Sequence, residues 1–83
     1  MLQMSVAEQV LSALQVAART DEVRRNPDVD LFESDLLDSL GMVELMVLLS
    51  ENLGLELSPA ELDRDDFSTP RRILAYVESR LNQ

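Results

Sequence analysis

The run Leu37-Asp38-Ser39-Leu40-Gly41-Met42-Val43-Glu44-Leu45 sets one hydroxyl between a loop and the start of an unusually apolar helical stretch. At a helix start the first amides lack intrahelical acceptors and the macrodipole is positive, so the position favours negative charge. A phosphate ester on the Ser39 oxygen is stabilised there, with Asp38 as a like-charge neighbour. Ser and Asp are also common helix caps, so the pair taken alone is equally a structural device. Residues that would do chemistry unaided are missing. The 83 residues contain no His and no Cys, which removes the usual general base, the thiolate nucleophile, most transition-metal ligands and every Ser-His or Cys-His pairing. Asp63, Asp65 and Asp66 have no His or Lys to work with. As a calcium loop opening at Asp63 they lack the glycine at the sixth position, and Leu74 stands where a bidentate Glu is needed. No metal site and no self-contained active site is expected, and Ser39 is the one attachment point for chemistry brought from outside.

The elements that must position Ser39 are helical. Ser5-Val6-Ala7-Glu8 has the spacing of a capping box. Val6, Val10, Leu11, Ala13, Leu14 and Ala17 then share one arc opposite Glu8, Gln9, Ser12, Gln15 and Arg19, which predicts a first amphipathic helix over 5–19. Between Thr20 and Asp38 the periodicity fails, and Asn26-Pro27 argues against helix there. Val23, Val29, Leu31, Phe32, Leu36 and Leu37 are expected to dock this long connection onto the helices, with a short helical turn near 30–33. A second helix should open at Asp38 or Ser39 and stop at Gly54, where a left-handed residue is needed. Ser58-Pro59-Ala60-Glu61 repeats the capping box and predicts a short third helix fading through Asp63, Asp65 and Asp66. Thr69-Pro70 starts a fourth, with Ile73, Leu74, Val77 and Leu81 facing inward. The expected fold is all-α: one domain over 1–83, a small four-helix bundle with a long first loop and a short third helix.

The second helix carries more apolar surface than a bundle uses. Met42, Leu45, Met46, Leu49 and Leu53 form the natural core stripe. Leu40, Val43 and Val47 form another, turned away from the first and bordered by Glu44 and Glu51. A second stripe edged by carboxylates suits a partner surface, since buried unpaired carboxylates are costly. The alternative is a central helix buried nearly all round. Sixteen acidic residues against seven arginines give a net charge of −9, which repels nucleic acid and anionic lipid and attracts basic protein patches, besides aiding solubility. Met1-Leu2-Gln3-Met4-Ser5 has no basic region leading into an apolar stretch, and no run approaches the ~18 apolar residues of a spanning helix. A cytoplasmic protein without direct membrane insertion is expected.

Asp38-Ser39-Leu40 followed by Val43-Glu44-Leu45 resembles the attachment signature of the acyl and peptidyl carrier protein family. Element order, length and acidity extend the likeness over nearly the whole chain. The resemblance implies a bundle of acyl-carrier type in which Ser39 carries covalent 4′-phosphopantetheine. The terminal thiol of that cofactor would hold an acyl or aminoacyl group as a thioester, which supplies the sulfur this chain lacks. Within the family the chain is most similar to the D-alanyl carrier branch, through Asn26-Pro27-Asp28-Val29-Asp30-Leu31-Phe32, Leu36 to Leu45, and Asp63-Arg64-Asp65-Asp66-Phe67-Ser68-Thr69-Pro70. That likeness implies a monomeric, non-enzymatic subunit loaded by a phosphopantetheinyl transferase. A D-alanine-activating ligase would charge it, and a membrane-bound O-acyltransferase would discharge it onto teichoic acid or a similar surface polymer. Asp38, Leu40, Val43, Glu44, Val47 and Glu51 are the expected partner-binding residues. With Glu44 and Glu51 the only charges between Ser39 and Gly54, partners that grip by apolar contact fit better than those of fatty-acid synthesis. Two other readings stay open: a stand-alone peptidyl carrier of a biosynthetic cluster loaded with another acid, and an unmodified acidic docking module.

Overall fold

A computed structural model describes residues 5–57 and 63–82. Ser5 opens helix α1 (Val6–Ala18) in extended conformation, its Oγ accepting from the Glu8 amide at 3.1 Å. The Glu8 carboxylate turns to Arg24 rather than back to the cap, because the guanidinium pairs a full opposite charge with it through two N–H donors, where the cap amide offers one neutral donor. Val10, Ala13, Leu14 and Ala17 are the buried face of α1. The helix stops at Arg19, which takes a left-handed φ of 60°.

The expectation of no helix between 20 and 38 is corrected by a single turn, α2 (Glu22–Arg25). Asn26-Pro27 ends that turn but does not prevent it. Thr20 Oγ1 accepts from the Glu22 amide at 3.2 Å, and Val23 is fully buried. Arg24 then fans over α1, donating to Gln15 Oε1 at 2.6 Å, Ser12 Oγ at 2.9 Å and Glu8 Oε2 at 3.0 Å. These bonds fall nine to sixteen residues away, so local pattern could not show them.

The connection beyond α2 is packed, as its apolar residues predict. Leu31 and Leu37 are buried, with Val29, Phe32 and Leu36 packed against the core. The Leu31 amide donates to the Ser68 carbonyl at 2.8 Å, and the Arg71 amide donates to the Pro27 carbonyl at 3.0 Å. Arg71 also forms a two-pronged pair with Asp28, at 2.8 and 3.2 Å. Asp30 accepts from the amides of Phe32 at 3.0 Å and Glu33 at 2.9 Å. The helical turn expected at 30–33 is therefore a hydrogen-bonded turn closed by an aspartate.

Helix α3 (Ser39–Leu53) ends at Gly54 with φ 69°, the left-handed stop expected there. The start of the anticipated third helix, at Ser58, lies outside the described residues. After it comes a 3-10 turn (Arg64–Phe67), capped by Asp63, which accepts from the Asp65 amide at 2.9 Å. Phe67 drives this turn into the core, fully buried and tilted 58° against Tyr76 at 5.3 Å. Thr69 accepts from the Arg72 amide at 3.1 Å and, with Pro70 in the first turn, starts α4 (Pro70–Leu81). Ile73 and Val77 are buried and Leu74 is half-buried. Leu81, at the last residue of α4, is exposed. Helix α1 packs on α2, α3 and α4, most extensively on α3. The result is the expected all-α bundle, without a strand among the described residues.

Candidate attachment site and partner face

Of the two residues that could cap α3, Asp38 does so. Its backbone is extended, with φ −99° and ψ −174°, and its Oδ1 accepts from the Gly41 amide at 2.7 Å. Ser39 is thereby the first helical residue, exposed, and its hydroxyl has no hydrogen bond among the described residues. Asp38 is thus more than a like-charge neighbour: its carboxylate satisfies a helix amide and leaves the serine oxygen unencumbered.

Gly41 fixes where this helix start sits, and its role was not legible from its place inside a helical pattern. A Cβ there would lie 3.1 Å from the Ala17 carbonyl oxygen, 3.1 Å from Leu37 Cδ1 and 3.2 Å from Asp38 Oδ1. The missing side chain lets the first turn of α3 close onto the end of α1. Leu37, two residues before Ser39, is anchored in the core and donates its amide to the Leu31 carbonyl at 3.0 Å. Between them Asp35 takes a φ of 60°, a conformation that Asp tolerates better than most residues.

A groove of about 450 Å³ runs from Ser39 over Leu37, Met42, Val43 and Met46 to Phe32 and Arg64. The Arg64 guanidinium lies over the Phe32 ring, 4.2 Å from its centroid. Sequence spacing gave no sign of that pairing, because the two residues lie on separate connections.

On α3 the two apolar stripes separate as the wheel predicts. Leu45, Met46 and Leu49 are buried, and Met42 and Leu53 partly so. Leu40, Val43 and Val47 are 69%, 52% and 48% exposed, which rejects the reading of a helix buried all round. Glu44 is half-buried and Glu51 exposed. Val43 forms a ridge, since it borders both the Ser39 groove and a second hollow of about 410 Å³ lined by Met46, Val47, Ser50, Glu51 and Leu57. Glu44, Leu40 and Asp38 line a smaller recess of about 220 Å³ on the α1 side. The site residues named from sequence therefore surround one end and one face of α3. Asp63, Asp65 and Asp66 form no metal-holding group, and none exists among the described residues.

Residues 8–77 match the family model described as the phosphopantetheine attachment site. The chain belongs to the acyl and peptidyl carrier protein family, whose covalent cofactor is 4′-phosphopantetheine. It is 42% identical over 74 residues to the D-alanyl carrier protein of Abiotrophia defectiva, covering 89% of this chain and 94% of that protein. It is 41% identical over 76 residues to the D-alanyl carrier protein of Enterococcus faecalis, covering 92% and 97%. With that of Staphylococcus saprophyticus it shares 39% over 75 residues, covering 90% and 96%.

The residues present fit this cofactor. A free hydroxyl at a helix start meets the demand of a phosphodiester, and the groove beside it offers apolar floor and polar rim to an extended amide-containing arm.

Proposed function

We propose that Ser39 carries the 4′-phosphopantetheine and that the group loaded on it is D-alanine. The observation that carries this reading is the exposed, unpartnered Ser39 hydroxyl at the first residue of α3, at the head of its own groove. When bound, the cofactor supplies the thiol that holds an aminoacyl unit as a thioester. The chain's own residues do the rest. Asp38 and Gly41 fix the helix start, so that a phosphodiester on Ser39 meets the open amides of the first turn. Leu40, Val43 and Val47 give successive partners a short-range apolar grip, and Asp38, Glu44 and Glu51 steer basic surfaces toward it.

Those partners are a phosphopantetheinyl transferase, a D-alanine-activating ligase and a membrane-bound O-acyltransferase that esterifies teichoic acid or a similar polymer. The relatives' name, D-alanyl carrier protein, over nearly their full length supports the D-alanine ligase, and the phosphopantetheine attachment family supports the transferase; the acyltransferase and polymer rest on the family resemblance. In this scheme residues 1–83 act as one monomeric carrier domain in the cytoplasm, acted on by enzymes rather than being one. Among the described residues no helix is long and apolar enough to cross a membrane.

The test is charging of the loaded chain by a D-alanine ligase, read by intact mass. One alanyl unit is added from D-alanine and none from L-alanine. Equal charging by both, or charging only by the enzyme of another amino acid, would assign the chain to peptidyl carriers of a different cargo.

A further inference from the structure

The groove beside Ser39 has a charge problem and a single candidate solution. Its lining includes two carboxylates, Asp35 and Asp38, and one cation, Arg64. A phosphodiester on Ser39 adds a third negative charge to a chain already at −9. Asp38 is partly offset by the helix amide it caps, whereas Asp35 is not so engaged. Most other arginines are committed elsewhere: Arg24 to Glu8, Arg25 to Asp21, Arg71 to Asp28 and Arg80 to the Glu56 carbonyl. Arg19 and Arg72 do not line the groove. Arg64 makes no ion pair among the described residues, and its guanidinium lies over the Phe32 ring, 4.2 Å from the centroid.

We infer that Arg64, stacked on Phe32, is the counter-charge of the prosthetic arm, its guanidinium pairing with the phosphodiester that anchors the arm at Ser39. The inference rests on the attachment reading above. Guanidinium forks match phosphate oxygens, and a ring face restrains the fork without consuming its donors. The backbone under both partners is held before loading. The Phe32 amide is held by Asp30 at 3.0 Å, and Arg64 opens the 3-10 turn capped by Asp63. Those two segments then need no backbone ordering when the arm binds. Asp65 and Asp66, next in sequence, give Arg64 local company but lie outside the groove lining.

The test uses the full chain in unloaded and loaded forms, as wild type, Arg64→Gln and, for control, Arg72→Gln on the exposed face of α4. Intact mass confirms one phosphopantetheinyl group on each loaded sample. Nuclear magnetic resonance then follows the Arg64 side-chain Nε–Hε signal and the phosphodiester phosphorus. Loading is expected to move the Arg64 signal while that of Arg24, tied to Glu8, stays in place. The phosphorus resonance is expected to move in Arg64→Gln and not in Arg72→Gln. An Arg64 signal unmoved by loading, or a phosphorus resonance identical in all three loaded proteins, would overturn the inference while leaving Ser39 as the attachment point. Failure of the wild type to load at Ser39 would instead remove the attachment reading and this inference with it. Should Arg64→Gln not fold, the wild-type comparison of unloaded and loaded Arg64 decides alone.

Discussion

Adding one methyl group at Gly41 tests how the site is positioned. In a mid-helix setting, Gly to Ala stabilises by about 1 kcal/mol through lost chain entropy, and by less in the first turn, where Gly41 is the third residue. Against this stands the crowding of three contacts at 3.1 to 3.2 Å, tighter than the roughly 3.5–4.0 Å of comfortable packing. Two of the three have little room to retreat. The Ala17 oxygen is backbone, and Asp38 Oδ1 is already engaged at 2.7 Å with the Gly41 amide. Leu37 Cδ1 is a side-chain end, yet Leu37 is only 2% exposed. Overpacking of this kind costs about 1–3 kcal/mol, so Gly41→Ala should destabilise by about 1 kcal/mol net. For a domain of this size that lowers the thermal midpoint by roughly 4–8 °C. Chemical denaturation gives the free energy, and a double-mutant cycle with Leu37→Ala isolates the crowding, because the second change should make Gly41→Ala cheaper. A Gly41→Ala protein more stable than wild type, or strict additivity with Leu37→Ala, would refute the close-approach argument. Gly54→Ala is the contrast: open space surrounds that Cβ, so any loss there comes from φ 69° alone, and Gly54→Asn should recover part of it.

Other expectations follow the same contacts. Asp38→Ala should cost about 1 kcal/mol as a lost cap, and Asp38→Asn much less; if both weaken ligase charging equally, Asp38 acts on the partner through charge as well. Val43→Asp should leave circular-dichroism helicity unchanged while raising the ligase KM about 10-fold or more, since it exchanges about 1 kcal/mol of remaining apolar burial for an unpaired carboxylate in the interface. Unchanged ligase kinetics would count against the partner stripe. The Arg24 hydrogen bond holds the Glu8 carboxyl below the ordinary glutamate range, and Arg71 does the same for Asp28. The contribution of each is therefore complete at neutral pH and lost as pH falls through the lowered folded value. Glu8→Gln should flatten the acid limb of the thermal midpoint against pH, and an unaltered limb would place that acid sensitivity elsewhere.

Where the sequence was readable, the reason is periodicity or a cap. The separation of Leu45, Met46 and Leu49 from Leu40, Val43 and Val47 follows from 3.6 residues per turn. Ser5, Asp38 and Thr69 each accept an amide as their types predict. Helix α2 escaped because four residues carry no period, and the contacts that hold it run from Arg24 to another helix. Gly41 looked like a neutral member of a helical run, since what it permits is contact with α1, more than twenty residues earlier in the chain. Arg64 on Phe32 was equally hidden, being a meeting of two connections whose spacing in the chain says nothing of their distance in space. Ser39 was conspicuous for the opposite reason: everything that would have made it catalytic on its own is absent from the chain.

The most direct measurement of the central claim is intact mass and fragment sequencing of the chain after incubation with a phosphopantetheinyl transferase and coenzyme A. The account predicts a single phosphopantetheinyl addition on the fragment containing Ser39, and none in Ser39→Ala, whose helicity and thermal midpoint match the wild type. Addition at any other residue would contradict the assignment of Ser39, and no addition to the folded wild-type chain would leave an acidic docking bundle without a prosthetic group.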